Sequence, residues 1–351
     1  MGKQGVGMMF RHTRLTDRAG LAIAALAMAA MMAPRPAAAG PTGGYTFQTI
    51  DNSSDPTFNQ LLGINNAGTI AGYFGSGAAG HPNKGYTVTP PYGPTSFVNE
   101  NFPGSVQTQV TGLNNAGVTV GFWSPTNLGT GDVNNGFVKV GGTFTTVNDP
   151  LTNGTPAVNQ LLGVNDHNVA VGFYVDSAGN AHGYTYTIGT ASFSPISDPL
   201  GVSTTAAAIN NAGMVAGFFT DAANVTHGFL DNGGVYSTYD APGAVSTMLL
   251  GLNNLGDAVG VETTASGALH GIILNTNTNT WTVLDDPLGL GTTTFNGIND
   301  LGQIVGFYVD GAGNTDGLLA TPEPASLLLL AGGIAGLAAV RRRGTGTVRP
   351  A

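Results

Sequence analysis

Across the long middle of this chain, apolar positions come in short bursts. Gln60–Asn65 reads QLLGIN, Thr69–Phe74 reads TIAGYF, Gly142–Val147 reads GTFTTV and Gly183–Ile188 reads GYTYTI. Runs this short, rich in β-branched and aromatic residues and bounded by Gly, Asn, Asp and Pro, predict β-strands. The first and second kinds are joined by turns such as Asn66-Ala67-Gly68, whose Asn and Gly tolerate the positive φ of a tight hairpin.

One phrase returns six times along the chain. It appears as Gly63-Ile64-Asn65-Asn66, Gly112-Leu113-Asn114-Asn115, Gly163-Val164-Asn165-Asp166, Ala208-Ile209-Asn210-Asn211, Gly251-Leu252-Asn253-Asn254 and Gly297-Ile298-Asn299-Asp300. Successive copies lie 49, 51, 45, 43 and 46 residues apart. Each unit holds four strand candidates, the content of one propeller blade. The leading segment Tyr45–Asp51 matches a fourth strand, whereas the last copy stops after its third, Gly317–Ala320. Pairing the two closes a ring and removes both open edges. The expected fold is therefore all-β, a six-bladed propeller over residues 40–320 closed by its N-terminal strand.

Charge narrows the partners. Between Gly40 and Thr321 the only cations are Lys84 and Lys139, against eighteen acidic residues. Such a surface repels phosphate backbones, so nucleic acid is excluded. The chain has no cysteine, which removes disulfides, thiolate metal sites and cysteine nucleophiles. No cofactor is implied; the acidic turns Asp55-Pro56, Asp149-Pro150, Asp198-Pro199, Asp240-Ala241-Pro242 and Asp286-Pro287 read as turn chemistry and would support at most weak Ca²⁺ binding.

The ends differ in kind from the middle. Basic Met1–Arg18, the apolar run Leu21–Ala33 and the small residues Ala37-Ala38-Ala39 have the order of a secretory signal peptide, with cleavage expected after Ala39. At the other end, Thr321-Pro322-Glu323-Pro324 precedes the apolar Leu327–Val340 and then Arg341, Arg342 and Arg343, a cationic stop that can hold a membrane helix at headgroups. This order resembles the PEP-CTERM sorting signal of exosortase substrates, made by Gram-negative bacteria that produce exopolysaccharide. The resemblance implies processing at Pro322, Glu323 and Pro324 by an exosortase-type enzyme, and anchoring in the envelope through residues 321–343. Residues 344–351 are expected to be a disordered tail.

The repeated phrase resembles HAF-type extracellular repeats, which implies an extracellular repeat protein but no particular reaction. Recurrence in every unit assigns Asn65, Asn114, Asn165, Asn210, Asn253 and Asn299 to architecture, their amides bonding turn backbone. Second strands carry paired aromatics: Tyr73-Phe74, Phe122-Trp123, Phe173-Tyr174, Phe218-Phe219 and Phe307-Tyr308. The fifth unit has Val261-Glu262 instead. Glu262 reads as a rim position pointing at solvent, and it is also the sharpest single candidate for chemistry. Before the third-strand glycine stand Lys84, Asn135, His182, His227, His270 and Asp316. Equivalent positions on successive blades are too far apart for three histidines to share a zinc ion, so no metal is expected.

With no arginine between Arg35 and Arg341, no nucleophile elbow and no phosphate loop, no catalytic constellation is recognisable. The sequence favours a non-catalytic, surface-sorted module that binds exopolysaccharide or another envelope component. The alternative is an extracellular glycan hydrolase or lyase using acids such as Glu262 and Asp257.

Overall fold

The computed structural model describes residues 44–323. The expected signal peptide with its cleavage at Ala39, Pro324, the apolar segment 327–340, Arg341, Arg342, Arg343 and the tail 344–351 lie outside the described residues. Among those described, no helix is long and apolar enough to cross a membrane.

Six four-stranded antiparallel sheets follow one another around an axis. The chain begins with β1 (Tyr45–Thr49). Blade one is β2 (Asn59–Ile64), β3 (Ile70–Phe74), β4 (Lys84–Val88) and β5 (Phe97–Asn99). Blade two is β6 (Gln107–Leu113), β7 (Thr119–Ser124), β8 (Asn135–Val140) and β9 (Thr143–Val147). Blade three is β10 (Asn159–Val164), β11 (Val169–Val175), β12 (Ala181–Thr187) and β13 (Ser192–Ile196). Blade four is β14 (Ser203–Ile209), β15 (Val215–Thr220), β16 (Thr226–Asn232) and β17 (Val235–Tyr239). Blade five is β18 (Ser246–Leu252), β19 (Asp257–Thr263), β20 (Leu269–Asn275) and β21 (Thr280–Leu284). Blade six takes β22 (Thr294–Ile298), β23 (Ile304–Val309) and β24 (Thr315–Pro322) from the end of the domain and β1 from its start. Phe47 pairs with Ala320 in the β1–β24 ladder, so the ring closes as the orphan strand requires. The expected strand bounds differ from the observed ones by a residue or two.

Two features of the repeated phrase become physical in the fold. The innermost strand of every blade carries a bulge just before the phrase, at Leu62, Thr111, Leu162, Ala207, Leu250 and Asn296. Its glycine is a packing residue, because neighbouring innermost strands meet backbone to backbone. A Cβ on Gly112 would lie 2.8 Å from the Leu162 carbonyl oxygen and 3.0 Å from the Gly163 Cα. Farther out, the residue after each third-strand glycine fills the seam between blades. Tyr86, Phe137, Tyr184, Phe229, Ile272 and Leu318 are all essentially unexposed there, each contributing on the order of 1.5–3 kcal/mol of burial.

The disc has two unlike faces. The turns between first and second strands form one, here the turn face. The connections from each fourth strand to the next blade form the other, the connection face. β24 runs outward to the turn face, where the Pro322 ring lies beside Gly302 of the β22–β23 turn. The first and last described residues therefore both reach the turn face at blade six.

Candidate functional site

On the turn face the first asparagine of each phrase builds a closed ring of hydrogen bonds. The Asn65 amide donates to the Asn114 carbonyl at 3.2 Å, Asn114 to Asn165 at 3.0 Å, Asn165 to Asn210 at 3.0 Å and Asn210 to Asn253 at 3.3 Å. Asn253 donates to Asn299 at 3.3 Å, and Asn299 returns to Asn65 at 3.0 Å. Each side-chain oxygen meanwhile accepts two backbone N–H groups of its own turn, those of His167 and Val169 in the case of Asn165. Turn bonding was legible in the sequence; the second half of the role, stitching blade to blade, was not.

The next residue of the phrase makes a second closed ring. The backbone N–H of Asn66 donates to the Asn115 side chain, that of Asn115 to Asp166, Asp166 to Asn211, Asn211 to Asn254, Asn254 to Asp300 and Asp300 back to Asn66. Asp166 and Asp300 stand three blades apart across the axis. The outer oxygen of Asp166 also accepts from the amides of Asn115 and Asn211, and that of Asp300 from Asn66 and Asn254. Although burial opposes their ionisation, these hydrogen bonds win and hold both carboxyls below the usual carboxylate range. The six residues rim an axial mouth of about 90 Å³. Its polar groups are already spoken for by one another, so this mouth is a keystone of the fold.

The connection face is different. The three histidines singled out by position are each engaged by an aspartate of the same blade: His182 with Asp176 at 2.8 Å, His227 with Asp240 at 2.9 Å and His270 with Asp285 at 2.7 Å. The Asp285 hydrogen bond raises the His270 pKa above its ordinary value against desolvation. Among the described residues no three His, Asp or Glu side chains are grouped to hold a metal ion. Neither the aspartate partners nor the second ring was foreseen. For His182 the available signal was the Asp that recurs at the β11–β12, β15–β16 and β23–β24 loops (Asp176, Asp221, Asp310), whereas Asp240 and Asp285 follow the fourth strands of their blades.

The third-strand residue faces the second aromatic of the sister pairs. Tyr174 is paired with His182 and stacks on it at 5.1 Å; Phe219 is paired with His227 and stacks at 5.0 Å. In blade five Glu262 occupies that place opposite His270. The expectation of a rim position is corrected in part: Glu262 is only 8% exposed, although its carboxyl oxygens still reach solvent. It lies between Thr247 and His270 in the sheet, and the Thr247 hydroxyl is tied to the incoming blade-four connection through the Ala241 N–H at 2.9 Å. Burial, the largest influence, pushes the Glu262 pKa up; nearby His270 opposes it and Asp285 adds to it. No hydrogen bond to the Glu262 carboxyl is made by any described residue, whereas Asp257, the other acid singled out, is tied to Asn253 and Asn275 on the turn face. The two acids therefore lie on opposite faces, which separates them as a catalytic pair. The acidic turns behave as turns where Asp149, Asp198 and Asp286 each accept the N–H two residues on. Asp240 departs from this and holds His227.

Comparison with solved structures gives the fold. The putative TolB from Agrobacterium tumefaciens aligns with a TM-score of 0.51 at 9% identity, covering 79% of this chain and 98% of that one. TolB from Acinetobacter baumannii aligns at 0.47 and 11% identity, over 80% of this chain and 65% of that one. The nidogen/laminin complex aligns at 0.41 and 13% identity, over 72% of this chain and 85% of that one. No curated protein matches the sequence. The family model of the PEP-CTERM protein-sorting motif matches residues 320–343, which include Pro322, Glu323 and Pro324. That match begins at the end of β24, on the turn face at blade six. The chain is an exported propeller protein carrying an envelope-sorting motif of the kind processed by exosortase-type enzymes.

Proposed function

We propose that this protein is a non-catalytic display module that binds exopolysaccharide or another envelope component while its PEP-CTERM segment sorts and anchors it through a membrane helix. The observation that carries the reading is the sidedness of the disc. The sorting motif leaves from the turn face, whose polar groups are bonded among themselves, and the connection face, with its six loops, is left to meet partners. The likeness of the repeated phrase to HAF-type extracellular repeats agrees with such a role. The separation of Glu262 from Asp257 weighs against the alternative, a glycan hydrolase or lyase built on that pair.

The test incubates purified protein with the exopolysaccharide of its native host, with and without Ca²⁺, and follows both retention and chain length. Retention without shortening is expected. Shortening that disappears in Glu262→Gln would replace the display reading with an enzymatic one, and the absence of both effects would remove the polysaccharide from it.

A further inference from the structure

The turn that follows each copy of the repeated phrase has one exposed tip, and the six tips crown the turn face. The tip is Ala67, Ala116, His167 and Ala212 in blades one to four, but Leu255 in blade five and Leu301 in blade six. These two leucines are 59% and 63% exposed, so they add nothing to the core. They stand on neighbouring blades at one edge of the disc. Leu301 shares its turn with Gly302, beside which the Pro322 ring lies. A single exposed leucine is ordinary; here the inner-turn tips become large and apolar only on the blade where β24 ends and on the blade next to it.

The sheet holds the chain up to its last described residue: Tyr45 pairs with Pro322, and the Glu323 N–H donates to the Gly44 carbonyl at 2.7 Å. Only Pro324, Ala325 and Ser326 separate Glu323 from the apolar segment 327–340. Four residue steps span at most about 14 Å, and a headgroup layer takes up roughly 6 Å of that. With the segment in a bilayer, at most about 8 Å of water fits between Glu323 and the headgroups. Charge then selects which face looks down. Of the eighteen acids between Gly40 and Thr321, the turn face holds four, Asp166, Asp231, Asp257 and Asp300, each accepting hydrogen bonds; Glu323 adds one more. The other fourteen lie on the connections, on the loops between second and third strands, or at the strand ends beside them. Anionic headgroups therefore repel the connection face far more strongly than the turn face.

We infer that, while the tail holds the chain in a membrane, the turn face lies against the lipid surface at blades five and six, with Leu255 and Leu301 seated among the headgroups and the acidic connection face turned away. This rests on the anchoring reading above and deepens it: the apolar segment supplies attachment, and the two leucines supply orientation. On the tether alone the disc would pivot about blade six. The rest of the inner surface suits the position, because the rosette satisfies its polar groups internally and leaves none that water must serve. Each leucine should strengthen the seat on the order of tenfold, the factor for taking such a side chain out of water.

Because the chain has no cysteine, single thiols can be placed at will. The full chain carries Leu255→Cys, Leu301→Cys or Ala67→Cys on the turn face, or Leu200→Cys on the connection face, each labelled with an environment-sensitive fluorophore. It is reconstituted into vesicles of phosphatidylethanolamine and phosphatidylglycerol, and flotation checks attachment. Quenching by a lipid spin-labelled high on its acyl chain is compared with quenching by aqueous iodide. Labels at positions 255 and 301 should be quenched by the lipid several-fold more than the label at position 200, which iodide should reach freely. Lipid quenching of the label at position 67, on the neighbouring blade one, should fall to the connection-face level once Leu255→Ser and Leu301→Ser are added. Equal quenching at 255, 301 and 200 on floating vesicles, or a label at 67 indifferent to the two serines, would overturn the docked face and leave the anchor standing. Labels shielded from iodide yet unquenched by lipid would mean that the leucines meet another protein surface, and would overturn it as well. A chain that does not float with the vesicles would remove the anchoring reading and the proposal together.

Discussion

The asparagine ring offers a direct measurement of closure. Replacing Asn299 by Ala removes the amide bond to the Asn65 carbonyl, the only link of the inner ring that joins the last blade to the first, the amide bond to the Gln303 side-chain oxygen, and the two bonds that the side-chain oxygen accepts from the Leu301 and Gln303 N–H groups. Asn114 makes an equivalent set within the chain: its amide donates to the Asn165 carbonyl and the Asn168 side-chain oxygen, and its side-chain oxygen accepts from Ala116 and Val118. At about 1 kcal/mol net for each bond lost, either substitution should cost about 4 kcal/mol, or roughly 8 °C in midpoint for a domain of this size. Urea unfolding followed by tryptophan fluorescence provides the assay. In a closed disc the two variants lose the same amount within about 0.5 kcal/mol. In an open array Asn299 would have no Asn65 carbonyl to reach, and its variant would lose about 1 kcal/mol less. A consistent deficit of that size for Asn299→Ala, at unchanged m-value, would refute closure.

Other predictions follow from single positions. Gly112→Ala drives a methyl into the Leu162 carbonyl and the Gly163 Cα at 2.8 and 3.0 Å, so it should destabilise by about 3 kcal/mol, measured by the same unfolding. Glu262→Phe restores the ring of the sister blades and removes a desolvated carboxyl; thermal melts at neutral pH should show a stabilisation of about 1–2 kcal/mol. Asp51 accepts the Gly317 N–H at 2.9 Å where β1 meets blade six, and desolvation, reinforced by Asp316 and Asp310, pushes its pKa up to about 6 against that hydrogen bond. The folded chain then keeps a proton that the unfolded chain has released. This contribution to stability is fully present below about pH 4 and is lost as pH rises through 6. Asp51→Asn keeps the acceptor, so it should flatten that part of the pH profile and gain roughly 1 kcal/mol at pH 7, the discount reflecting partial exposure.

The sequence by itself determined the number of blades, the strand content of each and the closing partner of β24. All three are periodic or local properties: short alternating runs, Asn-Gly turns at a repeat of about 46 residues, and an unpaired strand left over at each end. It also determined that the C-terminal end carries sorting information, because that is written in a contiguous order of Pro-Glu-Pro, apolar run and arginines. What only the tertiary structure decided depends on contacts between units. The phrase asparagines looked sufficient within their own turns, and nothing in one copy says that the amide reaches the next copy's carbonyl. Glu262 looked like a rim residue because a carboxylate is cheapest in water; that the residue is only 8% exposed is seen only in the assembled fold. Asp285 gave no sign of its tie to His270 for a different reason: the two approach only when β20 and β21 pair within blade five. Periodicity encodes the ring, whereas the exceptions to it acquire meaning only once the neighbouring blade is in place.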